Sequence, residues 1–412
     1  MQSPLPGVVI TGVTLTTSLS ANTEDTWSAL VDGRSGIRLL TAKNLEGLDL
    51  PAKIGGQLLE SFDSELTRVE LRRLSYLQKN ALVLGRRVWQ DCGAPDVDTA
   101  RLGVSMGTGL GTTEEVVLAY DEMRARGLTA VSPLVVQMFM PNGPAATVGL
   151  DRGAQAGVIT PLRGDASGAA AIAEAWRNIT FGEADMIICG GVESHLEGVP
   201  IAAYSQIDGV LSTDNDDPQG ACRPFDRDRT GTVFGEAGAM LVMETEEHAK
   251  TRGARILARV MGAGMSSDGY DAFLSDPDAE QQAYAMKRAI ELAGLAPGDI
   301  DHVNAHAAGV VSGDLTEATA LRKVFGEHHP AVYASKAALG HSFGAAGAVE
   351  CALTVLTLRD GIVPPTLNLR HLDERMDLDV VAGEARRGDY RYAVSNSFGF
   401  GGHNVSIVFG RP

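Results

Sequence analysis

The stretch AGVITPLRGDASGAAAIAEAWRNI, residues 156–179, decides how the rest of the chain is read. The β-branched Val158, Ile159 and Thr160 predict a strand, Gly164-Asp165-Ala166-Ser167-Gly168 a sharp turn, and the small-residue remainder, with its apolar spacing, a helix. Glycines on both sides let the turn fold tightly and let another segment or a ligand approach it. A strand–turn–helix junction presents one residue at the helix mouth, where backbone N–H groups and the dipole favour an anion. Here that residue is Asp165.

On the N-terminal side, Val8–Val13 predicts a buried strand, Thr26–Asp32 a helix and Glu65–Arg87 a long helix with an apolar stripe of Leu71, Leu74, Leu77 and Leu82. Arg68, Arg72, Lys79 and Arg86 recur on another face of it. A solvated face is the plainer reading, and a dock for an acidic partner the functional one. Arg101–Gly111 reads as a strand running into a glycine loop. No acidic residue follows at dinucleotide-fold spacing, so it predicts no nucleotide site. Pro141-Asn142-Gly143-Pro144 opens a helix. Beyond the central stretch, Ala184–Glu193 predicts a buried strand, and Arg223–Gly238 is charged, then glycine-rich, before the strand Ala239–Glu244.

From Arg255 the pattern restarts, with strands at 256–265, Asp301–Ala307 and Ala331–Ser335, helices at Ala279–Ala293 and Ala345–Leu358, and two final strands. Strand–helix alternation predicts a mostly parallel α/β sheet in each of two halves, residues 1–245 and 246–412, with helices on the faces. An ancient duplication with insertions in the first half would give this arrangement, although internal identity alone does not establish one.

At 412 residues the chain is too long for one simple core. An apolar content of 44% and a mean hydropathy near zero fit a water-soluble globule. No run approaches a membrane span, and Met1–Pro4 lacks the charged and apolar regions of a signal peptide. Cys92, Cys189, Cys222 and Cys351 are scattered without metal spacing, as expected in a reducing cytoplasm. A net charge of −17 argues against a nucleic-acid partner.

Three further segments carry chemistry-bearing residues: Asn304-Ala305-His306, Lys336–His341, and Ser397–Asn404 with its glycine-aromatic sequence. Alone, each histidine reads as structural. Together with the central turn they form a set, accompanied by GTGLG (107–111), VSPLVVQMFMPNG (131–143), RPFDRDR (223–229), FGEAGA (234–239), DHVNAH (301–306), LGHSFGAAGA (339–348) and NSFGFGGHN (396–404). In this order the motifs resemble the β-ketoacyl-acyl carrier protein synthases, or condensing enzymes, and closely their mycobacterial meromycolate-extending branch. The resemblance spans essentially the whole chain. It implies the thiolase fold, two α/β halves stacked α-β-α-β-α, usually dimeric across the strand that follows the central helix. It implies no cofactor beyond the phosphopantetheine thioester of a substrate, with an acyl carrier protein as partner.

By that resemblance the helix-mouth residue would be a cysteine taking the acyl chain, His306 and His341 would promote decarboxylation of the extender, and Lys336 and Glu350 would form a supporting ion pair. The Phe400 backbone would complete an oxyanion hole, with Phe400 gating the pocket beside Phe398. Three departures stand out. Asp165 occupies the nucleophile position, preceded by Arg163 and Gly164, and no cysteine lies in register. Ala308 and Val310 replace the two threonines expected to hold the pantetheine arm, and Asp271 stands where close relatives carry histidine. Asp165 as a plain helix cap is one expectation; the dipole and two imidazoles are expected to keep it ionised, which makes it a poor nucleophile. Normal condensation is therefore not expected. What remains is a chain-length-factor-like partner subunit, an enzyme of altered acyl-thioester chemistry (decarboxylation, acyl transfer or cyclisation), or a binding protein that sequesters acyl groups.

Overall fold

The structure, a computed structural model, describes residues 6–42 and 45–412; Met1–Pro4 lie outside them. Ten strands make one sheet: β1 (Val8–Thr16), β2 (Leu102–Gly107), β3 (Val158–Ile159), β4 (Met186–Ser194), β5 (Glu236–Thr245), β6 (Ala258–Ser267), β7 (His302–Asn304), β8 (Ala331–Tyr333), β9 (Tyr392–Gly399) and β10 (His403–Gly410). Their order is β8-β7-β9-β10-β6-β1-β5-β4-β2-β3. The first five strands thus lie 3-2-4-5-1, and the last five repeat that order five numbers on. The two half-sheets meet along a short antiparallel seam, Val8–Ile10 against Ala258–Val260.

Each half is mixed, not mostly parallel. The outer three strands run parallel, and the inner two pair antiparallel with their neighbours. A parallel neighbour needs a crossover, whereas β9 reaches β10 through a tight turn at Phe400-Gly401-Gly402 that only an antiparallel pair accepts.

Helices fill three layers. Between the half-sheets lie α4 (Ser167–Thr180) and α7 (Ala346–Asp360), buried along nearly their whole length. One outer face is covered by α2 (Tyr76–Asp91) and α3 (Gly143–Arg152), where Leu77, Leu84 and Val148 pack on Val104, Ile188 and Val242. The other is covered by α5 (Glu280–Leu292) and α6 (Val311–Phe325), where Met286, Ile290 and Leu321 pack on Val303, Val332 and Val408. The result is the α-β-α-β-α stack of the thiolase fold. Small residues permit the tight middle layer: a Cβ on Gly107 would fall 2.3 Å from the Ser167 carbonyl group.

Two expectations are corrected. The predicted helix over 65–87 is two helices, α1 (Arg68–Arg73) and α2, because Thr67 with Glu70 and Ser75 with Gln78 form successive capping boxes. The strand after the central helix, β4, cannot carry a subunit interface along its edge, since β2 and β5 already pair with it on both sides. The outer edge of that half is β3, at Val158–Ile159.

Candidate functional site

The central turn is closed by Ser167, whose Oγ accepts from the Arg163 N–H (2.8 Å) and donates to the Gly164 carbonyl (2.7 Å). Gly164 sits at φ +52°, in the left-handed region that glycine enters without a Cβ clash. Asp165 is 5% exposed. Its carboxyl does not cap the helix, whose N-cap is Ala166 without a side-chain bond. Instead Oδ2 accepts from the Phe400 N–H at 3.2 Å, and Oδ1 lies 3.6 Å from His341 Nε2.

The opposite wall comes from the second half. Glu317 accepts from the His306 and Ala307 N–H groups and from Asn396 Nδ2, pinning the end of β7. The short helix Lys336–Leu339 delivers Lys336, whose Nζ bonds the His306 carbonyl and Glu350 Oε1 and approaches His306 Nδ1 at 3.4 Å. Ser335 donates to the same Glu350 oxygen at 3.1 Å. Burial against this pair pushes Glu350 up to about 7, Lys336 opposing it.

Both histidines are neutral. Burial, then the Lys336 charge, holds each well below the ordinary imidazole value. The 3.6 Å approach to Asp165 is therefore not an ion pair. His341 Nδ1 accepts from the Phe343 N–H at 3.1 Å, and His306 Nδ1 faces the Lys336 donor. Each ring accordingly carries its proton on Nε2.

Burial also overturns the expectation that the helix dipole and the two imidazoles lower the Asp165 pKa. Desolvation raises it to about 6, against the opposing pull of the Phe400 N–H and Lys336. Neutral imidazoles supply no positive charge to hold the carboxylate, so burial wins.

Asp165, His306, Ala308, Val310, His341, Phe398 and Phe400 line one cavity of about 510 Å³. Several residues that sequence reasoning missed complete it. Phe343 stacks on His341 (4.2 Å, 6°) and on His195 (4.0 Å, 15°), wedging the catalytic-position imidazole against an aromatic cluster. Phe400 stacks on Tyr204 and meets the Phe273 edge, both at 5.7 Å. Asp271 is exposed and its Oδ1 accepts from the Phe273 and Leu274 N–H groups, so it shapes the loop that carries Phe273 to the cavity.

Other expected site residues stand apart. Arg163 does not line the cavity; its charge acts on His403, outside it. Arg68 and Arg72 are exposed on α1 without an ion pair among the described residues, but Arg86 is tied to Glu70 (2.6 Å) and Asp151 (2.8 Å) and leaves the row. The glycine loop after β2 takes a carboxyl from the chain itself: the Gly109 and Leu110 N–H groups donate to the buried Glu193 side chain. Among the described residues, no helix is long and apolar enough to cross a membrane.

Comparison with known proteins places this geometry. Residues 6–249 match the N-terminal domain of β-ketoacyl synthases and residues 257–370 the C-terminal domain. The chain is 62% identical over 406 residues to the Mycobacterium tuberculosis (strain ATCC 25618 / H37Rv) protein named 3-oxoacyl-[acyl-carrier-protein] synthase 2, covering 98% of this chain and 97% of that one. Among solved structures it is similar to a ketosynthase of a type II polyketide system in complex with its acyl-carrier protein and bound to the hexaketide (TM-score 0.91, 25% identity, 99% of this chain and 100% of that one). It is equally similar to the ishigamide ketosynthase/chain length factor (TM-score 0.91, 28% identity, the same coverage).

Proposed function

The chain belongs to the β-ketoacyl synthase family, and on that premise we propose that it is a non-elongating ketosynthase-like protein of fatty-acid or polyketide biosynthesis, a chain-length-factor-like partner that handles acyl chains without a covalent acyl-enzyme. One observation carries this reading: the Asp165 carboxyl sits at the helix mouth and holds the Phe400 N–H. That donor is the one the family resemblance assigns to the oxyanion hole, so the chain's own side chain fills the place of a thioester carbonyl. The four cysteines are buried elsewhere, and burial raises the thiol pKa of each, so none replaces the nucleophile. The relatives named as synthases set the family, and residue 165 sets this chain apart from cysteine-dependent condensation. The partners proposed are an acyl carrier protein, docked at Arg68 and Arg72, and a second subunit meeting the β3 edge, of this chain or of an active synthase.

A second reading rests on the two neutral imidazoles. Their Nε2–H groups can together hold the carbonyl oxygen of a malonyl thioester as carbon dioxide leaves and negative charge gathers on that oxygen. The enolate then takes a proton, which Asp165, titrating near 6, is placed to give. The products are carbon dioxide and an acetyl thioester.

Intact-mass measurement of the protein mixed with malonyl- and acyl-carrier proteins tests both. Unchanged masses are expected for the partner role, and conversion of malonyl- to acetyl-carrier protein for the decarboxylase. An acyl adduct on this chain refutes both.

A further inference from the structure

Two cavity-lining side chains, Thr232 and Gln282, carry a buried polar atom without a hydrogen-bond partner. The Thr232 hydroxyl lies beside the Cys222 thiol, whose ionisation it eases, so a polar group of the chain already faces it. That leaves Gln282, in the first turn of α5 and 1% exposed, with Oε1 unpartnered. A carboxamide oxygen kept this dry without a donor is costly, and a ligand that supplies the donor removes that cost. Gln282 shares the cavity with Ala308 and Val310, which offer no polar side-chain atom, so that stretch of wall is apolar where an amide-bearing arm would need bonds.

We infer that Gln282 is the side chain that recognises the amide of a pantetheine-type thioester in this cavity. A planar carboxamide presents an acceptor oxygen beside an N–H donor, the complement of a secondary amide, so one residue can answer both polar groups of one amide of the arm. Discrimination follows from the same chemistry: a thioester without the amide leaves the Gln282 Oε1 buried and unpaired.

The inference rests on the reading that the cavity takes acyl thioesters, and the test separates the two. S-octanoyl-pantetheine and S-methyl thiooctanoate, which lacks the arm, are titrated calorimetrically into the wild-type protein and into Gln282→Met, which keeps the volume and removes the hydrogen bonds. Loss of the amide bonds is expected to weaken octanoyl-pantetheine about tenfold and leave the methyl thioester unchanged. Adding Ala308→Thr to Gln282→Met is expected to recover part of the loss, and Gln282→Leu replaces the methionine variant if that one does not accumulate. Equal binding of octanoyl-pantetheine by wild type and variant, or equal weakening of both probes, refutes the role of Gln282 and leaves the thioester reading intact. No binding of either probe by the wild-type protein refutes both.

Discussion

Asp165→Asn isolates the cost of burying a carboxyl at the helix mouth. The asparagine keeps an oxygen for the Phe400 N–H and removes the ionisation. In the folded chain Asp165 titrates at about 6 against 3.8 for a free side chain. At about 1.4 kcal/mol per pH unit, this gap amounts to about 3 kcal/mol. The sign follows from the raised value. Below about pH 4 the group is protonated folded and unfolded, and the cost is nearly absent. As pH rises towards 6 the unfolded chain releases its proton first, and above 6 the cost is complete. The asparagine variant is therefore expected to gain on the wild type from under about 1 kcal/mol at pH 4 to about 3 kcal/mol above pH 7. Exchanging Oδ1 for an amide opposite His341 adds an offset that does not vary over this range. Denaturant unfolding of both proteins at several pH values measures the difference. A difference flat between pH 4 and 8 refutes the raised carboxyl and, with it, the claim that burial outweighs the helix dipole here.

Lys336→Met strands Glu350 in a dry interior and is expected to destabilise by about 3–5 kcal/mol, with Lys336→Met/Glu350→Gln recovering much of it in the same unfolding measurement. Charge reversal at Arg68 and Arg72 is expected to weaken carrier-protein or partner binding in low salt, an effect that fades with added salt; binding indifferent to both makes the arginines a solvated face. Asp165→Cys is expected to create an alkylatable thiol whose condensation stays roughly 100-fold below that of a cysteine-bearing relative, since Ala308 and Val310 leave the arm without its usual hydroxyls. Near-normal elongation by that variant, measured by product mass, shows that residue 165 alone separates the chain from an ordinary synthase.

Local pattern made much of this protein legible. Strand–helix alternation placed nearly every element, and the motifs at 304–306, 336–341 and 397–404 named side chains that the fold draws to one cavity with Asp165. The break between α1 and α2 was also written, as T-x-x-E followed by S-x-x-Q, but the leucine stripe running through both masked it. Long-range packing was not legible. His195, Tyr204 and Phe343 are aromatic positions with no local signal, and only the closed fold stacks them behind His341. The direction of the Asp165 shift is hidden for the same reason: the dipole is a local property, whereas dehydration depends on distant parts of the chain that close around the carboxyl.

The repeated strand order has a consequence for how such a protein changes its chemistry. Counted along either copy, α4 and α7 occupy the same slot, between the third and fourth strands. Both halves contribute to the site, and each brings different equipment to it. The first half supplies the helix-mouth residue and part of the cavity wall, including Thr232, and the second supplies both imidazoles, the lysine and the Phe398–Phe400 turn. The helix-mouth residue and the two imidazoles thus come from separate halves of the chain. On the proposed reading, a change at the helix mouth in the first half leaves the buried Lys336–Glu350 pair of the second untouched, because neither partner of that pair is drawn from the first half.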